Sequence, residues 1–252
     1  MSELAERLKP IEDDFNDALA TLNSVLDHVS DTKLKPALRV VISNNVIVTL
    51  ISSIEETLRN LFKAYLTTLE ERFAKHQLLN LQLQRANLDC GVQQLKDHTK
   101  DSEFKLAAAV VKDLSKCLNG ERDYRLFKEQ LTYNKGNFRS AQLTETAKNS
   151  GMAKLWNKIC QCAEIEAYTG ESVLDSRVTK LTSVWNAMFD ERDLIVHQIS
   201  RASGWGAGQI KEEMTLSLLV IKRVASCLVA DLTTLIEQHE RPSVAKPTDD
   251  ND

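Results

Sequence analysis

Arg192 and His197 bracket the hexapeptide RDLIVH. An imidazole is the side chain whose unperturbed pKa lies near neutrality, so His197 is equipped to take up and release protons at physiological pH. Arg192 never loses its charge and presents a planar fork of donors to an anion. Asp193 stands four residues before His197, which on a helix places the two on one face. A polar cluster that interrupts an apolar helix just before a glycine-rich loop is a natural place for a ligand. The same residues also fit a helix-end His beside a surface Arg with no further role, and spacing alone does not separate these readings.

The elements that would hold this cluster are helices. Apolar residues recur at steps of three and four over 3–28, 172–199 and 209–239, the mark of buried stripes. A further helix is expected from Pro36 to about residue 76, with Pro36 in its first turn, where a missing N–H costs nothing. Its apolar positions, from Val40 through Ile54 and Leu61 to Leu69, are broad enough for an inner helix covered on more than one side. Glu55 falls inside that stripe, where a carboxylate needs solvent or a cationic partner. Between about 78 and 150 the pattern is choppier, with turn chemistry at LNGERD and YNKGNFRS, and reads as a short-helix insertion. One short helix is expected over Met152 to Ile165. The expected organisation is an N-terminal helix (1–34) packed on a helical domain (35–240), then a disordered, proline-punctuated tail (241–252).

Composition narrows the classes. In 252 residues there are only 8 Gly and 4 Pro, so turns are few and elements long, which favours an all-α fold of long antiparallel helices over a sandwich or barrel. A formal net charge of −4 counts against broad coating of duplex DNA but leaves room for a small basic cleft. The odd, dispersed set of 5 Cys argues against a disulfide framework, and Cys160 and Cys162 are too close for the usual zinc spacing, so no metal and no cofactor are expected. SGWGAG (203–208) lacks the Gly-Lys-Ser/Thr ending of a phosphate-binding loop. The N-terminus shows no signal-peptide pattern, and the most apolar run (40–54) reads as too short and too polar to span a membrane, so a cytoplasmic protein is expected.

RDLIVH resembles the hallmark of the HEPN superfamily of small helical domains, which is Arg, a polar residue, about three further residues, then His. ISSIEETLRNLFKAYL (51–66) is similar to an early helix, and NKGNFRSAQLTETAKNSGM (134–152) to a middle segment, of the branch that includes the RiboL-PSP-type and MAE-like HEPN domains. The three segments occur in that branch's order, and the likeness extends over roughly 35–238. The chain departs from the pattern in having Gln198 after the His and Asp193 where Asn is commoner.

This resemblance implies a HEPN-like helical bundle and a metal-independent endoribonuclease of the toxin or antiviral-defence kind. RNA cleavage by its own 2′-hydroxyl needs a proton-moving group and a cation for the developing phosphorane charge, roles that His197 and Arg192 fill. Asp193 would orient His197, and Glu55 would sit across the core as a tether for Arg192. The implied partners are single-stranded or looped RNA, a second copy of the chain forming a shared cleft, and an antitoxin or defence-system protein. Two alternatives stand beside this: a catalytically silent HEPN-like module for dimerisation or partner binding, and an unrelated helical scaffold.

Overall fold

Long helices follow from the scarcity of breakers, and among the described residues the secondary structure is helical, without a strand. The structure is a computed structural model that describes residues 3–29, 34–98, 104–132, 137–197 and 205–240. In chain order the α-helices are α1 (Glu3–Val29), α2 (Pro36–Arg72), α3 (Leu81–His98), α4 (Phe104–Asn119), α5 (Lys128–Thr132), α6 (Ser140–Asn149), α7 (Leu155–Ile159), α8 (Ala163–Thr169), α9 (Leu174–His197) and α10 (Ala207–Glu240), with a 3₁₀ turn at His76–Leu78.

The four long helices build the core. α2 is the inner one: it packs against α1, α9 and α10 and buries Ile47, Leu50, Ile54, Leu58, Leu61 and Phe62 completely or nearly so. α1 lays Leu4, Leu8, Phe15, Leu19, Leu22 and Leu26 into the same cluster, so it shares one core with the helices that follow. The Tyr65 hydroxyl donates to Asp231 Oδ2 (2.7 Å), and Lys158 Nζ donates to Asp231 Oδ1 (3.2 Å), joining α2, α7 and α10 by one half-buried polar knot. In α10, burial pushes the Glu213 carboxyl up to about 7, with the charge of Glu212 adding to the shift.

Three expectations are corrected. α2 stops at Arg72 instead of continuing to 76: Phe73 turns extended (φ −101°, ψ 112°) and goes into the core, edge-on to His239 at 5.3 Å. The helix expected over Met152 to Ile165 is two helices. Cys162 takes an extended conformation (φ −94°, ψ 151°) before α8, and Arg177 Nη1 donates to the Cys160 carbonyl (2.9 Å), supplying a partner at the end of α7. Cys160-Gln161-Cys162 is thus a helix break with both thiols buried. The middle region is more regular than its turn-rich pattern suggested, since α3 and α4 are 18 and 16 residues long and pack on each other.

α2 also contains a stretch that by length and composition could cross a membrane, with a mean hydropathy of 1.6, longer than the run over 40–54 suggested. The helix that carries it is the centre of the bundle. Residues 241–252, expected to form a tail, lie outside the described residues.

Candidate functional site

The last four turns of α9 carry a polar face. Asn186, Asp190, Asp193 and His197 succeed one another at i, i+4, i+7 and i+11, one side of a helix. The opposite side buries Trp185, Met188, Phe189 and Ile195, which fixes the rotation of the helix and so the direction of the polar face.

Against this face lies the segment Asn137–Arg139, which leads into α6. Backbone groups bolt it down. The Phe138 carbonyl accepts from Trp185 Nε1 (2.8 Å), Ser140 N–H donates to Asn186 Oδ1 (2.8 Å), and Phe138 N–H donates to Glu55 Oε1 (3.3 Å) on α2. Trp156 Nε1 adds a bond to the Ser140 carbonyl (3.0 Å). The Phe138 ring is fully buried and stacks under Arg59, whose guanidinium carbon is 5.8 Å from the ring centroid. Backbone tied down at Phe138 and Ser140 in this way resists opening, because losing one partner leaves a desolvated dipole.

The side chains of this segment reach the candidate residues. Asp193 Oδ1 accepts from Arg192 Nη1 (2.9 Å) and Asn137 Nδ2 (3.0 Å), while Asp193 Oδ2 accepts from Arg139 Nη2 (2.8 Å). Arg192 Nη1 also donates weakly to Asn137 Oδ1 (3.4 Å), and Arg139 Nη1 pairs with Asp190. Burial alone would push the Asp193 carboxyl up, but the hydrogen bonds from Arg192, Arg139 and Asn137 outweigh it and hold the group below its ordinary range. Asp193 is therefore ionised at neutral pH.

Glu55 behaves differently. Burial pushes its carboxyl up, opposed by the Phe138 N–H and then by the charges of Arg192 and Arg59. It senses Arg192, but the ion pair of Arg192 is with Asp193. The tether expected from Glu55 runs through the backbone of Phe138, which occupies the carboxylate in place of the guanidinium.

His197 ends α9 and is exposed. Among the described residues it makes no hydrogen bond or ion pair. Asp193, expected to orient it, spends both oxygens on two guanidiniums and an amide, which bind a carboxylate more strongly than an imidazole one turn away. The structure thus brings Arg192, Asp193 and Glu55 into one neighbourhood and leaves His197 at its rim. Arg192 Nε is buried without a hydrogen-bond partner, and among the described residues the hydrogen bonds of the guanidinium run through Nη1.

Sequence reasoning missed Asn137, Arg139, Asn186 and Asp190. The polar spacing on α9 was a usable signal for the last two. The segment NKGNFRS reads as turn chemistry and as part of a family-like stretch, with no partner assigned to it, and its partners on α9 lie 46 to 56 residues away, from Ser140–Asn186 to Asn137–Asp193. Gly206 and Gly208 have nothing within 4 Å of an added Cβ, so that part of the glycine-rich loop is not shaped by a close backbone approach. Among the described residues no group of three or more His, Cys, Asp or Glu is placed to hold a metal ion.

A family model described as RiboL-PSP-HEPN matches residues 13–230, which takes in most of α1 and all of the segments above. No curated protein and no solved structure matches the chain.

Proposed function

Since the chain belongs to the RiboL-PSP-HEPN family, we propose that it is a metal-independent endoribonuclease that cuts single-stranded or looped RNA at a site shared by two copies. The observation that carries this reading is the contrast between a fixed cation and a free imidazole. Arg192 is pinned by Asp193 and Asn137, and His197, on the next turn and a half of the same helix, is exposed with no partner among the described residues. Such an arrangement suits a guanidinium that must stay in place and a base that must meet a substrate.

In the reaction, the imidazole of His197 takes the proton from a ribose 2′-hydroxyl. The freed oxygen attacks the adjacent phosphorus, Arg192 holds the charge that builds on the non-bridging oxygens, and the bond to the 5′-oxygen breaks. That oxygen needs a proton as it leaves. One imidazole would have to serve as base and acid at once, whereas a two-fold related copy supplies a second His197. Asp193 keeps Arg192 seated and does not act as the base. A toxin or defence role goes with this reading as the family's implied setting, with an antitoxin or defence-system protein as partner.

One observation favours a second reading. The ionised Asp193 already neutralises Arg192, as a silent dimerisation or partner-binding module would tolerate.

Mixing tests the shared site. His197→Ala and Arg192→Ala proteins, each expected to be inactive, are combined under conditions that exchange subunits. Mixed dimers retain one guanidinium and one imidazole, enough to take the 2′-hydroxyl proton but not to protonate the leaving oxygen from a second His197, so RNA cleavage by the mixture is expected to exceed that of either parent and to stay below that of the wild type. A wild-type protein that is monomeric and fully active would remove the shared site.

A further inference from the structure

Arg192, Asp193, Arg139 and Asp190 form a ladder of alternating charge along the polar face of α9. Its members are not equally committed. Asp193 is 32% exposed and is bonded by both guanidiniums and by Asn137. Asp190 is 64% exposed and, among the described residues, pairs only with Arg139 Nη1. An exposed ion pair of that kind holds its partners weakly and is open to exchange. Arg139 keeps its place without it, because Nη2 remains on Asp193 and Nη1 also reaches the Asn186 carbonyl (3.4 Å).

Building on the ribonuclease reading above, we propose that Arg139 is a second phosphate-binding residue of the site and that Asp190 is the carboxylate an RNA phosphate displaces. The exchange replaces one anion by another on Nη1 while Asp193 holds Nη2, so the guanidinium does not have to reorient. Asp193 bridges Arg139 to Arg192, which sets two permanently charged forks side by side against one stretch of RNA backbone. In the free protein Asp190 occupies the outer fork and lowers the attraction for anions in general. Asp193 is a positioning residue in this arrangement, since it touches both cations and needs no contact with the RNA.

The test measures binding of a short mixed-sequence single-stranded RNA by fluorescence anisotropy, in a His197→Ala background so that the RNA is not consumed. Asp190→Asn is expected to tighten binding by about three- to tenfold and to steepen the dependence of log affinity on log salt by roughly 0.7, the value for one phosphate contact on a single strand. Asp175→Asn makes the same charge change about 22 Å away along α9 and is expected to have a smaller effect. Adding Arg139→Gln to Asp190→Asn is expected to erase the gain. A gain no larger than that of Asp175→Asn, or one that survives Arg139→Gln, overturns the proposal. If His197-dependent cleavage holds in the wild type while Asp190→Asn gains nothing, only this proposal falls. If no variant binds RNA, the ribonuclease reading falls with it.

Discussion

Alanine at His197 is expected to cut RNA cleavage by about 10²- to 10⁴-fold, the range for removing a general acid–base group. Folding should hardly change. The side chain is exposed and makes no hydrogen bond or ion pair among the described residues, so its loss removes little packing. Initial cleavage rates and a urea denaturation curve for the same preparation check both halves. Unchanged cleavage would show that His197 has no part in the chemistry, and a large loss of stability would make it a structural residue.

A second large effect should come from the buried support. Trp185→Ala is expected to cost about 3–5 kcal/mol of stability, the usual range for emptying a large aromatic site. Trp185 is fully buried, with Trp156 edge-on at 5.9 Å and Phe189 tilted at 5.8 Å. Its indole N–H is also what holds the Phe138 carbonyl, so the segment carrying Asn137 and Arg139 loses one of its ties. Trp185→Phe keeps most of the apolar contact and leaves that carbonyl unpaired, for an expected cost of about 1–3 kcal/mol. Denaturant midpoints measure both. A Trp185→Ala cost below about 1 kcal/mol would mean that this cluster does not support the site as described.

Much of the architecture was legible because it depends on local periodicity. The stripe Leu4, Leu8, Phe15, Leu19, Leu22 in α1 and the breadth of apolar residues in α2 report burial directly, and both helices are where the pattern puts them. Element ends were less legible. Phe73 leaves the helix to meet His239, a neighbour 166 residues away, and nothing near Phe73 announces it. Cys162 goes extended between α7 and α8, where Arg177 from α9 bonds the Cys160 carbonyl, again a long-range partner.

The candidate site divides in the same way. Arg192, Asp193 and His197 could be singled out because they are neighbours on one helix. Their interactions could not. Helical spacing allows Asp193 to meet His197, but Arg139 arrives from a distant segment and takes the carboxylate, because a guanidinium pairs with it in better geometry. Glu55 was placed near Arg192 by resemblance. It is near, yet the Phe138 N–H is its hydrogen-bond partner, a backbone contact that side-chain types do not encode.

The most direct measurement of the central claim is the chemistry of the cut ends. Purified protein is incubated with a mixed-sequence single-stranded RNA in excess chelator, and the termini of the products are identified by mass spectrometry. Attack by the 2′-hydroxyl with His197 and Arg192 predicts cleavage in chelator, with 2′,3′-cyclic phosphate on one fragment and 5′-hydroxyl on the other. Cleavage that requires a divalent ion, or that leaves 3′-hydroxyl and 5′-phosphate ends, would contradict it.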